Sequence, residues 1–120
     1  MVSSIRTQIL IPLKHQEKVF KLQENKSFSI PIDFTLVDDE ERSLVFLFNF
    51  IKREGLESLK LIFKNKHESS SPLNVCSYLN SDRLVVPIED IHLKNKSISI
   101  LTFSGENCDI EIMIKMLFIV

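Results

Sequence analysis

The chain of 120 residues has no tryptophan, no alanine, a single tyrosine, two glycines and two cysteines. Each shortage excludes something. Alanine is the best helix former, and a chain built on Ile, Val and Phe instead is better material for strands. Two glycines leave no glycine-rich loop to cradle a phosphate. They also leave little backbone for a strained nucleophile turn, and no GxSxG motif occurs. Sugar sites favour the amphipathic faces of Trp and Tyr, and here Tyr78 stands alone, which weighs against carbohydrate binding. Cys76 and Cys108 are too few for a disulfide scaffold. Reduced thiols in a cytoplasmic protein are expected, with one bridge in a secreted protein as the alternative.

Excess charge of either sign is also missing, with 15 Lys and Arg against 16 Asp and Glu. A protein that grips nucleic acid carries a strongly basic footprint, so no nucleic acid partner is expected. No apolar run approaches the roughly 20 residues of a spanning helix. The stretch MVSSIRTQILIPLK lacks a charged region ahead of a long apolar one, so no signal peptide is expected. The sequons at Asn25 and Asn95 carry no meaning in a cytoplasmic protein.

What the chain does have is period-2 alternation. In SFSIPIDFTLV, Phe28, Ile30, Ile32, Phe34 and Leu36 point one way and Ser29, Pro31, Asp33 and Thr35 the other, as in a half-buried strand. Weaker patterns cover 5–13, 18–22, 59–64, 84–88 and 97–103, where Ile98, Ile100 and Thr102 share a face opposite Ser99, Leu101 and Phe103. A last strand begins near Asp109. The segment 43–51, SLVFLFNFI, fits a strand through Val45, its three Phe and Ile51. A helix is the alternative, with Asp38 and Glu41 as its capping residues and Gly55 as its stop. As a strand it is apolar on both faces, which suits a central strand covered on both sides.

Pro12, Pro31 and Pro87 fall inside strand-like segments, where proline is tolerated only on edges, at strand starts or at bulges. Several edges imply an open two-sheet β-sandwich and not a closed barrel. The expected fold is therefore all-β: one domain over 1–120, two sheets and about eight antiparallel strands, with jelly-roll connectivity as the finer expectation. The longest irregular stretch is 64–82, with a short helical turn near 73–79.

Chemistry-bearing residues are sparse. The three histidines, His15, His67 and His92, stand in polar turns without metal-ligand spacing, so no metal is expected. His67-Glu68-Ser69-Ser70-Ser71 reads as a polar loop, because triads assemble in space and not along five consecutive residues. The run Asp38-Asp39-Glu40-Glu41, with Glu89-Asp90, is the best calcium candidate, although such acids more often discourage strand pairing. The tripeptide Lys-Asn-Lys occurs at 64–66 and again at 94–96. If the two turns share one end of the sandwich, they form a basic patch for an anion or acidic partner.

The terminus CDIEIMIKMLFIV carries the functional expectation. Strict alternation puts Ile110, Ile112, Ile114, Met116, Phe118 and Val120 in the core and Met113, Leu117 and Ile119 on the opposite face. A large apolar side chain left in water forgoes roughly 1.5–3 kcal/mol, so something should cover that second face. Met113, Leu117 and Ile119, with Val45, Leu47 and Ile51, are the expected interface. The function read from the sequence is a non-enzymatic interaction module, a subunit or adaptor with a protein partner or a homo-oligomer. The alternative is a β-sandwich that binds a carbohydrate, lipid or other small molecule with loop 65–82 at its mouth. No cofactor is expected.

Overall fold

The computed structural model describes residues 8–13, 18–23, 26–36 and 42–120. Where the sequence alternates, the backbone runs as strands: β1 (Ile9–Leu10), β2 (Val19–Leu22), β3 (Ser27–Thr35), β4 (Ser43–Glu54), β5 (Lys60–Lys64), β6 (Leu73–Asn74), β7 (Leu79–Asn80), β8 (Arg83–Pro87), β9 (Ser97–Ser104) and β10 (Asp109–Ile119). No α-helix occurs among the described residues, only three short 3-10 turns.

The larger sheet has the order β1-β10-β4-β8-β7, with β2 also pairing with β10, and the smaller has β3-β9-β5-β6. All pairings are antiparallel. The sheets pack face to face as a β-sandwich around phenylalanine. Phe103 of the smaller sheet meets Phe46 and Phe48 of the larger edge-on, with centroids 6.4 and 6.1 Å apart, and stacks on Phe28 at 5.2 Å. Such edge-on pairs suit the ring quadrupole better than a face-to-face sandwich. Every phenylalanine except Phe118 belongs to this core or packs against it.

The segment that read as strand or helix is the strand β4, central between β10 and β8. Its Phe and β-branched residues favour a pleated surface over a helix. Gly55 ends it at φ +73°, where a Cβ would sit 2.5 Å from the Asn107 carbonyl oxygen. The glycine is thus the corner into the 3-10 turn Leu56–Ser58, and no helix precedes it. The expected turn near 73–79 is the 3-10 turn Val75–Ser77. Pro31 lies on the edge strand β3 and Pro87 at the end of β8, where a missing N–H is tolerated. Pro12 follows β1 outside the ladder.

Two ladders depart from simple alternation. On β10, Ile114 pairs with Phe48 but Met116 pairs with Leu47, so Lys115 is an extra residue in a β-bulge. A one-residue slip exchanges the two faces of a strand. Beyond the bulge the core side chains are Leu117 and Ile119, at 0% and 2% exposure, whereas Met116 is 42% exposed. Leu117 and Ile119 are therefore core residues, and the expectation that they line an uncovered face is corrected. Similarly, the β3–β9 ladder shifts between Pro31 and Phe34. Ile98 is buried together with Leu101 and Phe103, and Ile100 is 38% exposed. The expected grouping of Ile98 with Ile100 fails for the same physical reason.

Candidate functional site

The register places a set of side chains on the outer surface of the larger sheet. Val45 lies opposite Phe118 on one side and Val85 on the other, and Leu10 continues that row beyond Phe118. The next row holds Met116, Leu47 and Arg83, and the one beyond it holds Val19, Met113 and Asn49. An antiparallel sheet with one face in water normally shows polar side chains there. Here the centre of the outer face is apolar. Val45 and Phe118 are largely covered, Leu47, Val85 and Met113 are half-buried, and Leu10 is 62% exposed.

Three of the expected interface residues, Met113, Val45 and Leu47, share this face. Ile51 is 53% exposed and has no cross-strand partner in the β4–β10 ladder, because a second irregularity falls there. Leu117 and Ile119 are replaced on the face by Met116 and Phe118. Sequence reading misses these two because a bulge leaves no mark in an unbroken apolar run.

The charges around the apolar centre are unequal. At the far end of the face, Glu111 is held by Lys21 at 3.3 Å and Lys52 at 3.8 Å, and Lys52 also reaches Asp109 at 3.5 Å. Arg83, in the row of Leu47, and Lys115, in the bulge, are exposed and make no ion pair among the described residues.

A second constellation lies at one end of the smaller sheet, where the two Lys-Asn-Lys turns meet. The Glu68 carboxylate accepts hydrogen bonds from the backbone N–H groups of Asn95 (2.6 Å) and Lys94 (3.0 Å). Asn65 donates from Nδ2 to the Asn95 carbonyl oxygen at 3.2 Å. Its Oδ1 accepts from the N–H groups of His67 and Glu68, and Asn95 Oδ1 accepts from Ser97 N–H. These Asx-type bonds fix the shape of both turns. The two amides, Asn95 first and Lys94 second, hold the Glu68 carboxyl below its ordinary value, because both favour the charged form. A cavity of about 220 Å³ lies beside the turns, bordered by Asp33, Asn65, Lys66, His67, Asn95 and Ser97 among others.

A third feature, a depression of about 790 Å³, is lined by Lys26, Ser27, Ser58, Lys60, Ser104 and Glu106 with Gly105. No residue of loop 65–82 borders it. The loop instead contributes Asn65, Lys66 and His67 to the small cavity.

The remaining sequence candidates stay apart or are committed elsewhere. Ser70 is buried, its Oγ accepting from Phe63 N–H at 2.9 Å and donating to the Ser71 carbonyl at 3.2 Å. With Glu68 bonded to backbone amides, the 67–71 run serves turn geometry. Tyr78 donates its hydroxyl to Asp90 at 2.8 Å and packs against the core. Cys76 is exposed and Cys108 buried, neither in a disulfide, and burial pushes the Cys108 thiol up. No cluster of three His, Cys, Asp or Glu suited to a metal occurs among the described residues, and His15 and Asp38 to Glu41 lie outside them. No described helix is long and apolar enough to cross a membrane.

Comparison of the chain with protein-family models, with curated proteins and with solved structures finds no match.

Proposed function

We propose that the chain is a non-enzymatic interaction module, a subunit or adaptor that docks a different protein on the outer face of its larger sheet. The observation that supports this reading is the apolar centre of that face, where exposed Leu10 and Met116 and half-buried Leu47 and Val85 surround the covered Val45 and Phe118, on strands whose inner face already fills the core. Contiguous exposed apolar surface with charged residues at its margin is the usual composition of a protein–protein site.

The exposed cations of the face fit a partner that supplies carboxylates, and the reading commits to a different protein, with a second copy as an outcome of the test. Arg83 and Lys115 make no ion pair among the described residues, while Glu111 and Asp109 on the same face are engaged by Lys21 and Lys52. A partner that offers an apolar surface edged with carboxylates complements this arrangement.

The test substitutes residues that leave the core intact. Leu10→Glu with Met116→Glu places charge on the outer face only, and thermal unfolding checks that the fold is kept. Proteins retained by the wild-type chain and lost by this variant are purified, and the complex is rebuilt from its two components. The reading expects a measurable affinity that falls with salt and weakens further with Arg83→Glu. It fails if wild type and the folded variant retain the same proteins. It also fails if the purified wild-type chain self-associates in light scattering and the variant does not, since the face then belongs to a second copy. Removing residues 116–120 is no substitute, because Leu117 and Ile119 would leave the core with them.

A further inference from the structure

Two copies of one tripeptide, thirty residues apart, are bonded to each other at one end of the smaller sheet. From this juxtaposition we infer that the paired turns form a binding site for a phosphate group, separate from the apolar face. Glu68 is the clip: both its oxygens are engaged by the backbone of the second turn, at 2.6 and 3.0 Å. Its charge therefore stabilises the turns and is largely compensated there. The lysines on either side of Asn65 and Asn95 make no ion pair among the described residues.

The cavity beside the turns is about 220 Å³, smaller than the pockets that hold drug-sized ligands and suited to a single compact group. Lys66, His67, Ser97 and the Asn95 side-chain NH2 supply donors on its wall, and Lys94 and Lys96 flank it in sequence. Ammonium and hydroxyl donors around a small concavity are the chemistry that holds an oxyanion. Asp33 is the acid on the same wall among the described residues, and a carboxylate is an acceptor only. An acceptor among donors suits an oxyanion that brings its own donor. Hydrogen phosphate does so, as does a phosphate monoester with a neighbouring hydroxyl. Sulfate, with no proton near neutral pH, does not.

Titration of isotope-labelled protein by two-dimensional NMR, at constant ionic strength, tests this. The probes are inorganic phosphate and glycerol 3-phosphate, with sodium sulfate as control. The first two distinguish a free ion from an ester, and saturable shifts confined to amides of 33, 65–68 and 94–99 are expected with at least one. Sulfate should bind more weakly. Lys66→Gln with Lys94→Gln should weaken binding about tenfold.

Glu68→Ala separates a built site from mere surface charge. It removes an acid, so a non-specific field would bind the anion more tightly, whereas loss of the clip should weaken binding. Asp33→Asn leaves the clip in place and should bring sulfate to parity with phosphate. The inference is overturned if neither phosphate probe gives saturable shifts, or if sulfate matches phosphate in the wild type. Tighter binding by Glu68→Ala, or an unchanged affinity in the double lysine variant, overturns it as well. None of these readouts depends on a protein partner.

Discussion

Leu117 stands opposite Phe46 in the β10–β4 ladder, and both side chains are fully shielded from solvent. Met116, the residue before it, stands opposite Leu47 on the outer face. This relationship depends on Lys115 being an extra residue, and it orders the energetics of the C-terminal strand.

Leu117→Ala should therefore destabilise the protein by about 3 kcal/mol, as cavity formation in a close-packed core does. Met116→Ala should cost less than about 1 kcal/mol, in the range of surface substitutions. Denaturant unfolding measures both. Comparable losses at the two positions would show that the bulge is misplaced. Deleting Lys115 removes only the extra residue and keeps Met116 opposite Leu47 and Leu117 opposite Phe46, so it should cost less than Leu117→Ala.

Tyr78 gives a second, spectroscopically clean prediction, because it is the only tyrosine. Its hydroxyl donates to Asp90, and that bond, followed by partial burial, raises its pKa above the ordinary 10.0. The bond exists only while the phenol is protonated. Its stabilisation is present below the unfolded pKa and is lost as pH rises through the higher folded one. Ultraviolet titration should find phenolate forming later in native than in unfolded protein, and earlier once Asp90→Asn is introduced. Tyr78→Phe should cost about 1 kcal/mol at neutral pH. Coincident native and unfolded titration curves would rule out the Tyr78–Asp90 bond in solution.

Acid stability reports on Glu68 in the opposite sense. Its carboxyl is held below the ordinary 4.5 by the amides of Asn95 and Lys94. The contribution is therefore present above 4.5 and lost as pH falls through the lower folded value. As pH falls from neutral through that window, the melting temperature of Glu68→Gln should fall less than that of the wild type. The amides of Lys94 and Asn95 should shift only below pH 4.5, as the Glu68 carboxyl takes up its proton. Parallel melting curves for the two proteins would remove the clip from the account of this end of the sandwich.

Much of the architecture was legible in the residues. Alternation in SFSIPIDFTLV assigns the faces of β3 along its whole length, from Phe28 to Leu36, and the two-sided apolar run 43–51 correctly indicates a central strand. Pro31 marks an edge. The site was legible only in pieces. Met113, Val45 and Leu47 were identifiable as outward apolar residues, because they precede the bulge or lie on its partner strand. The repeated Lys-Asn-Lys tripeptide was visible, but nothing in the linear order says that two turns thirty residues apart are bonded together.

Taken alone, the sequence determined the class of object. A chain without alanine, rich in Ile and Phe at period two and evenly charged, forms strands with one buried face, since only pleated elements bury that pattern. Tertiary structure decided which residues that face contains at each end. A β-bulge is chosen by the pairing of two strands, so Lys115 becomes the extra residue only when β10 aligns with β4. That alignment sends Leu117 and Ile119 to the core and leaves Met116 and Phe118 on the outer sheet. Tertiary structure also decided what Glu68 does, because a carboxylate becomes a clip only where folding brings two backbone amides to it.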